Sequence, residues 1–256
     1  MSLAGRRIVV TRATHQADEV IAQIKAHGGI PILYPCIAIT APDDTSALNH
    51  ALKQLGTFDW LIFTSSNTVY ALQQQLQRLD IKIDGSRIKI ATVGTKTDKT
   101  LRDIFGQSAD FIPTQYTADE LARDLPLSLG DRIFLPQSAL ADDTLSAQLS
   151  ARGATVTVVD AYQTIIGSGG DDVPALLEQH RIDAVTFTSG STVTNFVERI
   201  MPLTAFDVPA ICIGASTYDV AIEAGFKTVL YPDNFTINNM IDLLSDFLEE
   251  ATYGKP

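Results

Sequence analysis

The chain has 256 residues, enough for one large or two ordinary domains, and 45% of them are hydrophobic, which predicts a folded protein. The formal net charge is −11, and acidic and basic residues are interspersed, so a nucleic-acid-binding surface is not expected. No apolar run approaches the ~18 residues that a membrane helix needs, and the first residues lack the pattern of a signal peptide, so we expect a cytoplasmic protein.

Short apolar runs alternate with helical patterns along the chain. A strand is predicted at 6–11, a helix at about 15–27 with a glycine cap at Gly28-Gly29, and a second strand at 30–34. Further strands are predicted near 59–63, 87–93, 109–112, 131–135, 154–159, 183–187, 208–213 and 227–230. This alternation predicts an α/β fold, with parallel sheets that carry helices on both faces.

The second half of the chain repeats the first. FTSSNTV (63–69) returns as FTSGSTV (187–193), and IATVGTKT (90–97) returns as AICIGAST (210–217). Two weaker pairs follow the same order: GRRIVVTR (5–12) with GDRIFLPQ (130–137), and FIPTQYTADEL (111–121) with LYPDNFTINNM (230–240). In the TADEL segment, Thr117 and Glu120 predict a capping box. The repeat predicts two similar lobes with a ligand cleft between them; two domains without a shared site are the alternative.

Four turns rich in hydroxyl groups follow strands and precede helices, at 64–67, 94–97, 188–191 and 214–217. In open parallel sheets, ligands bind beyond the carboxyl ends of the strands. The first turn of a helix adds unpaired N–H groups and a partial positive charge, which suit carboxylates or phosphates. We therefore predict an anion-binding site at these turns, although ordinary helix capping explains any single one of them.

Charged and reactive side chains are few at these turns. Arg12, at the end of the first strand, and Lys96 are candidate anion clamps, with solvated surface charge as the alternative. No phosphate-binding loop or strand-linked GxGxxG occurs, so no nucleotide cofactor is expected. The histidines are scattered and Cys36 and Cys212 are not in a CxxC pair, so we expect no metal site and two buried free thiols. No nucleophile–base pair stands out, so an enzyme with this sequence is expected to act mainly by positioning its substrate.

The ordered set of motifs resembles the uroporphyrinogen-III synthase family of tetrapyrrole biosynthesis. The matching pieces cover nearly the whole chain: IVVTRA (8–13), LIFTSSNTV (61–69), IATVGTKT (90–97), RIFLP (132–136), ARGATV (151–156), DAYQT (160–164), VTFTSGSTV (185–193), AICIGAST (210–217) and a closing loop and helix (231–248). The resemblance implies two flavodoxin-like lobes, 1–37 plus 167–256 and 38–166, that move as rigid bodies. It also implies a two-stranded linker between them, near 36–40 and 161–165.

The family resemblance implies a reaction as well. A lyase without cofactor or metal cyclises hydroxymethylbilane, a linear tetrapyrrole with eight carboxylates, losing water and inverting the last pyrrole ring through a spiro intermediate. Tyr162 is implied as a weak acid, or as a hydrogen-bond donor to the leaving oxygen. The implied carboxylate ligands are Thr11, Arg12, Ser65, Ser66, Thr95, Lys96, Ser189, Gly190, Ser191, Gly214, Ser216 and Thr217. The family also suggests a monomer, with transient contact to the preceding enzyme of the pathway.

One turn departs from the family pattern. Many members carry an Arg-Gly turn with further basic residues after the RIFLP strand, whereas residues 136–140 here read PQSAL, without a cation. We expect Gln137 and Ser138 to donate neutral hydrogen bonds there instead.

Two other functions are compatible with parts of the pattern. A non-catalytic two-lobe module that binds a small polycarboxylate or other anion would share the lobes and the turns, but the expected absence of a signal peptide argues against it. A receiver-type regulator would need an acidic residue at a strand end, whereas Asp59 and Asp183 begin their strands.

Overall fold

The computed structural model describes residues 3–83 and 88–253. In these residues the strands are β1 (Arg7–Val10), β2 (Ile30–Leu33), β3 (Ile37–Thr40), β4 (Trp60–Phe63), β5 (Lys89–Thr92), β6 (Arg132–Ser138), β7 (Thr155–Ile166), β8 (Ala184–Phe187), β9 (Ala210–Cys212) and β10 (Val229–Leu230). The α-helices are α1 (Asp18–Ala26), α2 (Ser46–Lys53), α3 (Ser66–Leu79), α4 (Thr95–Phe105), α5 (Ala118–Asp124), α6 (Thr144–Ala151), α7 (Val173–Glu178), α8 (Gly190–Ile200), α9 (Ala215–Glu223) and α10 (Ile237–Tyr253). None of these helices combines the length and hydropathy that crossing a bilayer requires.

The chain divides into two compact units. The first comprises the described residues of Met1–Ala38 and Ile165–Pro256, and the second comprises those of Ile39–Thr164. The sheet of the first unit has the strand order β10-β9-β8-β1-β2, and its neighbouring strands pair in parallel. The other sheet has the order β3-β7-β6-β4-β5, with parallel pairs between β7, β6, β4 and β5. The predicted α/β fold with parallel sheets is therefore confirmed, whereas the two-stranded linker stays a prediction.

Each sheet is covered by helices on both faces, as the fully apolar strands require. Successive side chains of a strand point to opposite faces. In β1, Val9 packs into one buried cluster, whereas Ile8 and Val10 pack into another. The residues of β4 alternate in the same way. Trp60 and Ile62 belong to one buried cluster, whereas Leu61 and Phe63 belong to a second. Both strands are therefore interior strands of their sheets, with a neighbouring strand on each side.

Several predicted elements differ from the structure. Residues 109–112 form only an isolated bridge, between Ala91 and Phe111, because the chain turns away at Pro113, which has no N–H to continue the ladder. The predicted helix at 15–27 is a 3₁₀ turn at Thr14–Gln16 followed by α1, with the predicted cap at Gly28, whose φ is +81°. Strand β7 joins, without a break, the strand predicted at 154–159 and the segment near 161–165 that the family resemblance implied as a strand. Residue 87 of the predicted strand 87–93 lies outside the described residues.

The predicted capping box on α5 forms only in part. The Thr117 side chain accepts a hydrogen bond from Glu120 N at 3.2 Å. The Glu120 carboxylate accepts from Gln115 N instead of Thr117 N. A complete capping box occurs on α8, where Ser189 and Thr192 each accept from the other's backbone N–H.

Both cysteines are buried free thiols, as predicted. Burial raises the pKa of Cys36 to about 12, and the same desolvation raises the pKa of Cys212 to about 12. Since the thiolate is the reactive form, neither cysteine is suited to act as a nucleophile at neutral pH.

In the first unit, the segments 33–37 and 167–171 pack tightly against each other and against α8. Gly167 N and Asn195 Nδ2 both donate to the Cys36 carbonyl, at 3.0 and 2.9 Å. The Arg199 guanidinium donates to Gly169 O at 2.9 Å and lies 3.7 Å from the centre of the Tyr34 ring. These contacts join the residues that precede β3 to those that follow β7.

Candidate functional site

In the second unit, the predicted turns lie together at one edge of the sheet. Phe63, the last residue of β4, pairs with Thr92, the last residue of β5, so the turns at 64–67 and 94–97 are neighbours. On the other side of β4, β6 reaches Ser138, which is paired with Tyr162 of β7. The register of the β6–β7 pair shifts between Gln137 and Ser138, because Gln137 pairs with Asp160 and Ser138 with Tyr162, which leaves Ala161 as an extra residue in β7.

Tyr162 lies against the first of these turns. The residue is 8% exposed, and its Oη atom is 3.3 Å from Ser65 Oγ. Ser65 is the extended N-cap of α3, and its Oγ accepts a hydrogen bond from Thr68 N at 3.3 Å. The N-cap geometry thus orients the Ser65 hydroxyl so that it can hydrogen-bond the phenol at a helix start.

The other predicted residues of this edge differ in exposure. Ser66 Oγ lies 2.9 Å from Thr100 Oγ1, and Thr100 itself donates to Lys96 O, so Ser66 donates to Thr100. Thr95 and Lys96 are both exposed on the first turn of α4. Gln137 is buried, whereas Ser138 is half-buried and its hydroxyl accepts from Leu140 N. Lys96 is therefore the cation that the predicted residues supply here.

In the first unit, the turn at 188–191 begins α8. Ser189 Oγ accepts from Thr192 N at 3.4 Å and lies 3.0 Å from the exposed hydroxyl of Ser191. A Cβ on Gly190 would lie 3.0 Å from Val220 Cγ2, so a larger residue there would crowd the side chain of Val220. The two serine hydroxyls form a short polar row at the helix start.

The turn at 214–217 begins α9, beyond the neighbouring strand β9. Ser216 is exposed, whereas Thr217 is buried within the helix start. Gly214 adopts an extended N-cap conformation, with φ −174°. Thr11, from the end of β1, is fully buried, and its hydroxyl donates to Thr186 O at 2.7 Å. The side chains of Thr11 and Thr217 are therefore buried in the core.

Arg12 follows Thr11 at the same edge of the first sheet. Its Nη2 atom donates weakly to Gln16 Oε1, at 3.4 Å, and its buried Nε has no hydrogen-bond partner among the described residues. Burial lowers the pKa of the guanidinium, and the charge of Glu19 partly opposes this. A half-buried cation with an unsatisfied donor is suited to bind an anion.

Known proteins share this sequence pattern over nearly the whole chain. The family model described as uroporphyrinogen-III synthase HemD matches residues 18–242. The chain belongs to the uroporphyrinogen-III synthase family. It is 33% identical to the uroporphyrinogen-III synthase of Synechococcus elongatus, over 98% of both chains. It is also 30% identical to the putative uroporphyrinogen-III synthase of Methanocaldococcus jannaschii, over 95% of this chain and 99% of the other.

Solved structures from the uroporphyrinogen-III synthase family share the fold. A crystal structure of the Helicobacter pylori protein has a TM-score of 0.62 at 18% identity and covers 94% of this chain and 99% of that one. A crystal structure of a mutant uroporphyrinogen III synthase from Thermus thermophilus has a TM-score of 0.59 at 19% identity, covering 96% of this chain and 100% of the other.

Two aromatic residues at these edges were not predicted as site residues. Tyr116 lies against Gly94 in the second unit, and Phe235 lies against Gly214 in the first, and both residues are mostly exposed. The repeat contains the signal that finds them, since FIPTQYT and LYPDNFT place the two aromatic residues at matching positions. Their exposure and their contacts with the two glycines are visible only in the structure.

Proposed function

We propose that this protein is a uroporphyrinogen-III synthase, a lyase that cyclises hydroxymethylbilane to uroporphyrinogen III. The family match across residues 18–242 carries the proposal. The hydroxyl-rich turns at the carboxyl-terminal edge of each sheet support it, because the substrate carries eight carboxylates. The monomeric state, the cytoplasmic location and the contact with the preceding enzyme stay predictions from the sequence.

The proposed chemistry needs few protein groups. The terminal C–O bond of the bilane breaks, and the hydroxyl takes a proton and leaves as water, which gives an azafulvene cation. The substituted carbon of the last ring attacks this cation and forms a spiro intermediate. The original bond between the spiro carbon and the methylene bridge of the third ring then breaks, which gives a second azafulvene cation. The free α-carbon of the last ring attacks that methylene and loses its proton, which leaves the last ring inverted. The protein contributes mainly by holding the reacting carbons in the productive arrangement.

We assign substrate binding to the accessible groups of each edge. In the first unit these are Arg12 and the turns that contain Ser189 to Ser191, Gly214 and Ser216. In the second unit they are Ser65, Ser66, Thr95, Lys96 and Ser138. The backbone N–H groups of the first helical turns add to them, since they lack partners within the helix. Thr11, Thr217 and Gln137 are left out because they are at most 5% exposed.

Tyr162 is the proposed donor to the leaving hydroxyl. If Ser65 donates its hydrogen to Tyr162 Oη across the 3.3 Å contact, the phenolic hydrogen is available to the substrate. The start of α3 is also a region of partial positive charge, which favours departure of a hydroxide-like group. Phenols are weak acids at neutral pH, so this contribution is expected to assist the reaction without being essential.

Replacing Tyr162 with phenylalanine is expected to lower kcat about tenfold, because the transition state would lose one hydrogen bond. KM and the circular dichroism spectrum should change little, because the ring remains in place. Tyr70→Phe on α3, where the side chain is 40% exposed, is the matched control and should keep wild-type kcat. A Tyr162→Phe enzyme with wild-type kcat would remove Tyr162 from the reaction.

The function itself is tested by supplying freshly made hydroxymethylbilane, oxidising the products and separating isomers I and III. We expect isomer III, formed faster than the spontaneous closure to isomer I. If the wild-type protein yields isomer I alone, at the rate without protein, it is not a synthase. Saturable binding of a polycarboxylate in that case would indicate a binding module.

A further inference from the structure

We propose that Tyr116 and Phe235 pack against pyrrole rings of the substrate, so that the protein recognises the rings as well as the carboxylates. This inference rests on the proposed function and extends it from the carboxylates of the substrate to its rings. Four observations support it: the two residues are duplicated, each contacts a helix-capping glycine, each ring is exposed, and each neighbours a proposed carboxylate-binding turn.

The two aromatic residues occupy equivalent places in the two units. Tyr116 directly precedes Thr117, whose hydroxyl accepts from Glu120 N at 3.2 Å at the start of α5. Phe235 directly precedes Thr236, whose hydroxyl accepts from Asn239 N at 3.2 Å at the start of α10. The same type of cap therefore holds the residue before it at the same edge of each sheet.

Each aromatic ring lies beside the glycine that caps the neighbouring helix. A Cβ on Gly214 would lie 3.1 to 3.3 Å from three atoms of the Phe235 ring, which is too close for ordinary packing. A Cβ on Gly94 would lie 3.4 and 3.7 Å from Cβ and Cγ of Tyr116. In the GAST turn, glycine therefore lets the aromatic ring approach the start of the helix, whereas the distances at Gly94 are those of an ordinary van der Waals contact.

Neither ring is used to build the core. Tyr116 is 54% exposed and Phe235 is 61% exposed. Phe235 is supported from one side by Tyr231, at 6.3 Å between ring centres, and Tyr231 in turn contacts Tyr218 at 5.1 Å. Tyr116 has a positive φ of 51°, which is unfavourable for a tyrosine and indicates that the position is constrained.

This arrangement matches the chemistry of one pyrrole unit. Each unit is a flat, electron-rich ring with carboxylate side chains. The exposed aromatic residue offers a surface for the ring, in an offset or edge-to-face contact. The adjacent helix start offers N–H groups and hydroxyls for the carboxylates. A turn that only capped its helix would not need an exposed aromatic residue in contact with its glycine.

The test measures KM, kcat and the ratio of isomer III to isomer I with hydroxymethylbilane, for Phe235→Leu and Tyr116→Leu. We expect KM to rise about fivefold to tenfold in each, with a smaller change in kcat. The conservative variants Phe235→Tyr and Tyr116→Phe keep an aromatic ring, and their KM should stay within about twofold of wild type. If a leucine variant does not fold, the corresponding serine variant is measured in its place.

Two exposed apolar residues away from these turns serve as controls. Met201→Ala, beyond the far end of α8, and Leu129→Ala, before the start of β6, should leave KM unchanged. A wild-type KM in both leucine variants would overturn this inference and leave the proposed function intact. A rise in KM in the conservative variants as large as that in the leucine variants would do the same. A wild-type protein that forms no isomer III would overturn the proposed function and this inference with it.

Discussion

Replacing Gly167 with alanine should lower the free energy of unfolding of the first unit by about 3 kcal/mol or more. The new Cβ would lie 2.2 Å from Pro35 O and 2.8 Å from Ile37 N. Both are backbone atoms, and the Cys36 carbonyl between them already accepts from Gly167 N and Asn195. The clash therefore cannot be relieved by rotating a side chain, and segments 33–37 and 167–171 must separate.

The matched control for this change is Gly56→Ala. Gly56 is an exposed residue of the 3₁₀ turn Leu55–Thr57 in the second unit, and a Cβ there would have no atom of the described residues within 4 Å apart from its chain neighbours. Its urea unfolding midpoint, followed by circular dichroism, should equal that of wild type. Were Gly167→Ala to unfold at the same midpoint as Gly56→Ala, the packing of the two segments would be looser than described.

The second large effect is expected from Arg12→Ala, which should lower kcat/KM by about tenfold to a hundredfold, mainly through KM. The guanidinium is half-buried, burial lowers its pKa, and its Nε donor is unsatisfied among the described residues. A substrate carboxylate would satisfy that donor. Removing a poorly paired, half-buried charge should not destabilise the free protein, so its unfolding midpoint should not fall.

Arg181→Ala changes the net charge by the same amount at an exposed position near the start of β8. It should leave KM unchanged at physiological salt. A similar rise in KM in both arginine variants would indicate that overall charge, and not a contact of Arg12, attracts the substrate. Wild-type KM in Arg12→Ala would identify this residue as a structural or surface charge.

The fold was predictable from the sequence because its signals are local and repeated. The apolar runs of β1, β4 and β8 form interior strands, and the serine-containing turns after β4 and β8 begin α3 and α8. The edge at 109–112 was mispredicted because Phe111 and Ile112 have the composition of a strand, yet only one bridge forms before Pro113. The apolar pattern alone ends this strand at 159, because the polar residues Tyr162 and Gln163 interrupt it, whereas the family resemblance implied a further strand near 161–165.

The sequence predicted which turns form the candidate site, but it predicted less well which residues of those turns are exposed. Hydroxyl groups at strand ends indicated the edges, but pattern alone cannot separate an exposed Ser191 from a buried Thr11 that donates to Thr186 O. That distinction depends on tertiary packing. The 3.3 Å contact between Ser65 and Tyr162 joins residues far apart in the chain, which no local signal reports. Tyr116 and Phe235 were visible in the repeat but look like ordinary core aromatics without their exposure.

Hydrogen–deuterium exchange with and without uroporphyrinogen III, kept under anaerobic conditions, tests most directly whether substrate is bound at the strand ends of both units. The product shares the carboxylates and rings of the substrate and is stable during the measurement. We predict slower exchange at residues 64–67, 94–97, 188–191 and 214–217, where amides of the first helical turns would bind carboxylates. Unchanged exchange at all four turns, or protection confined to the amino ends of the strands, would contradict this account.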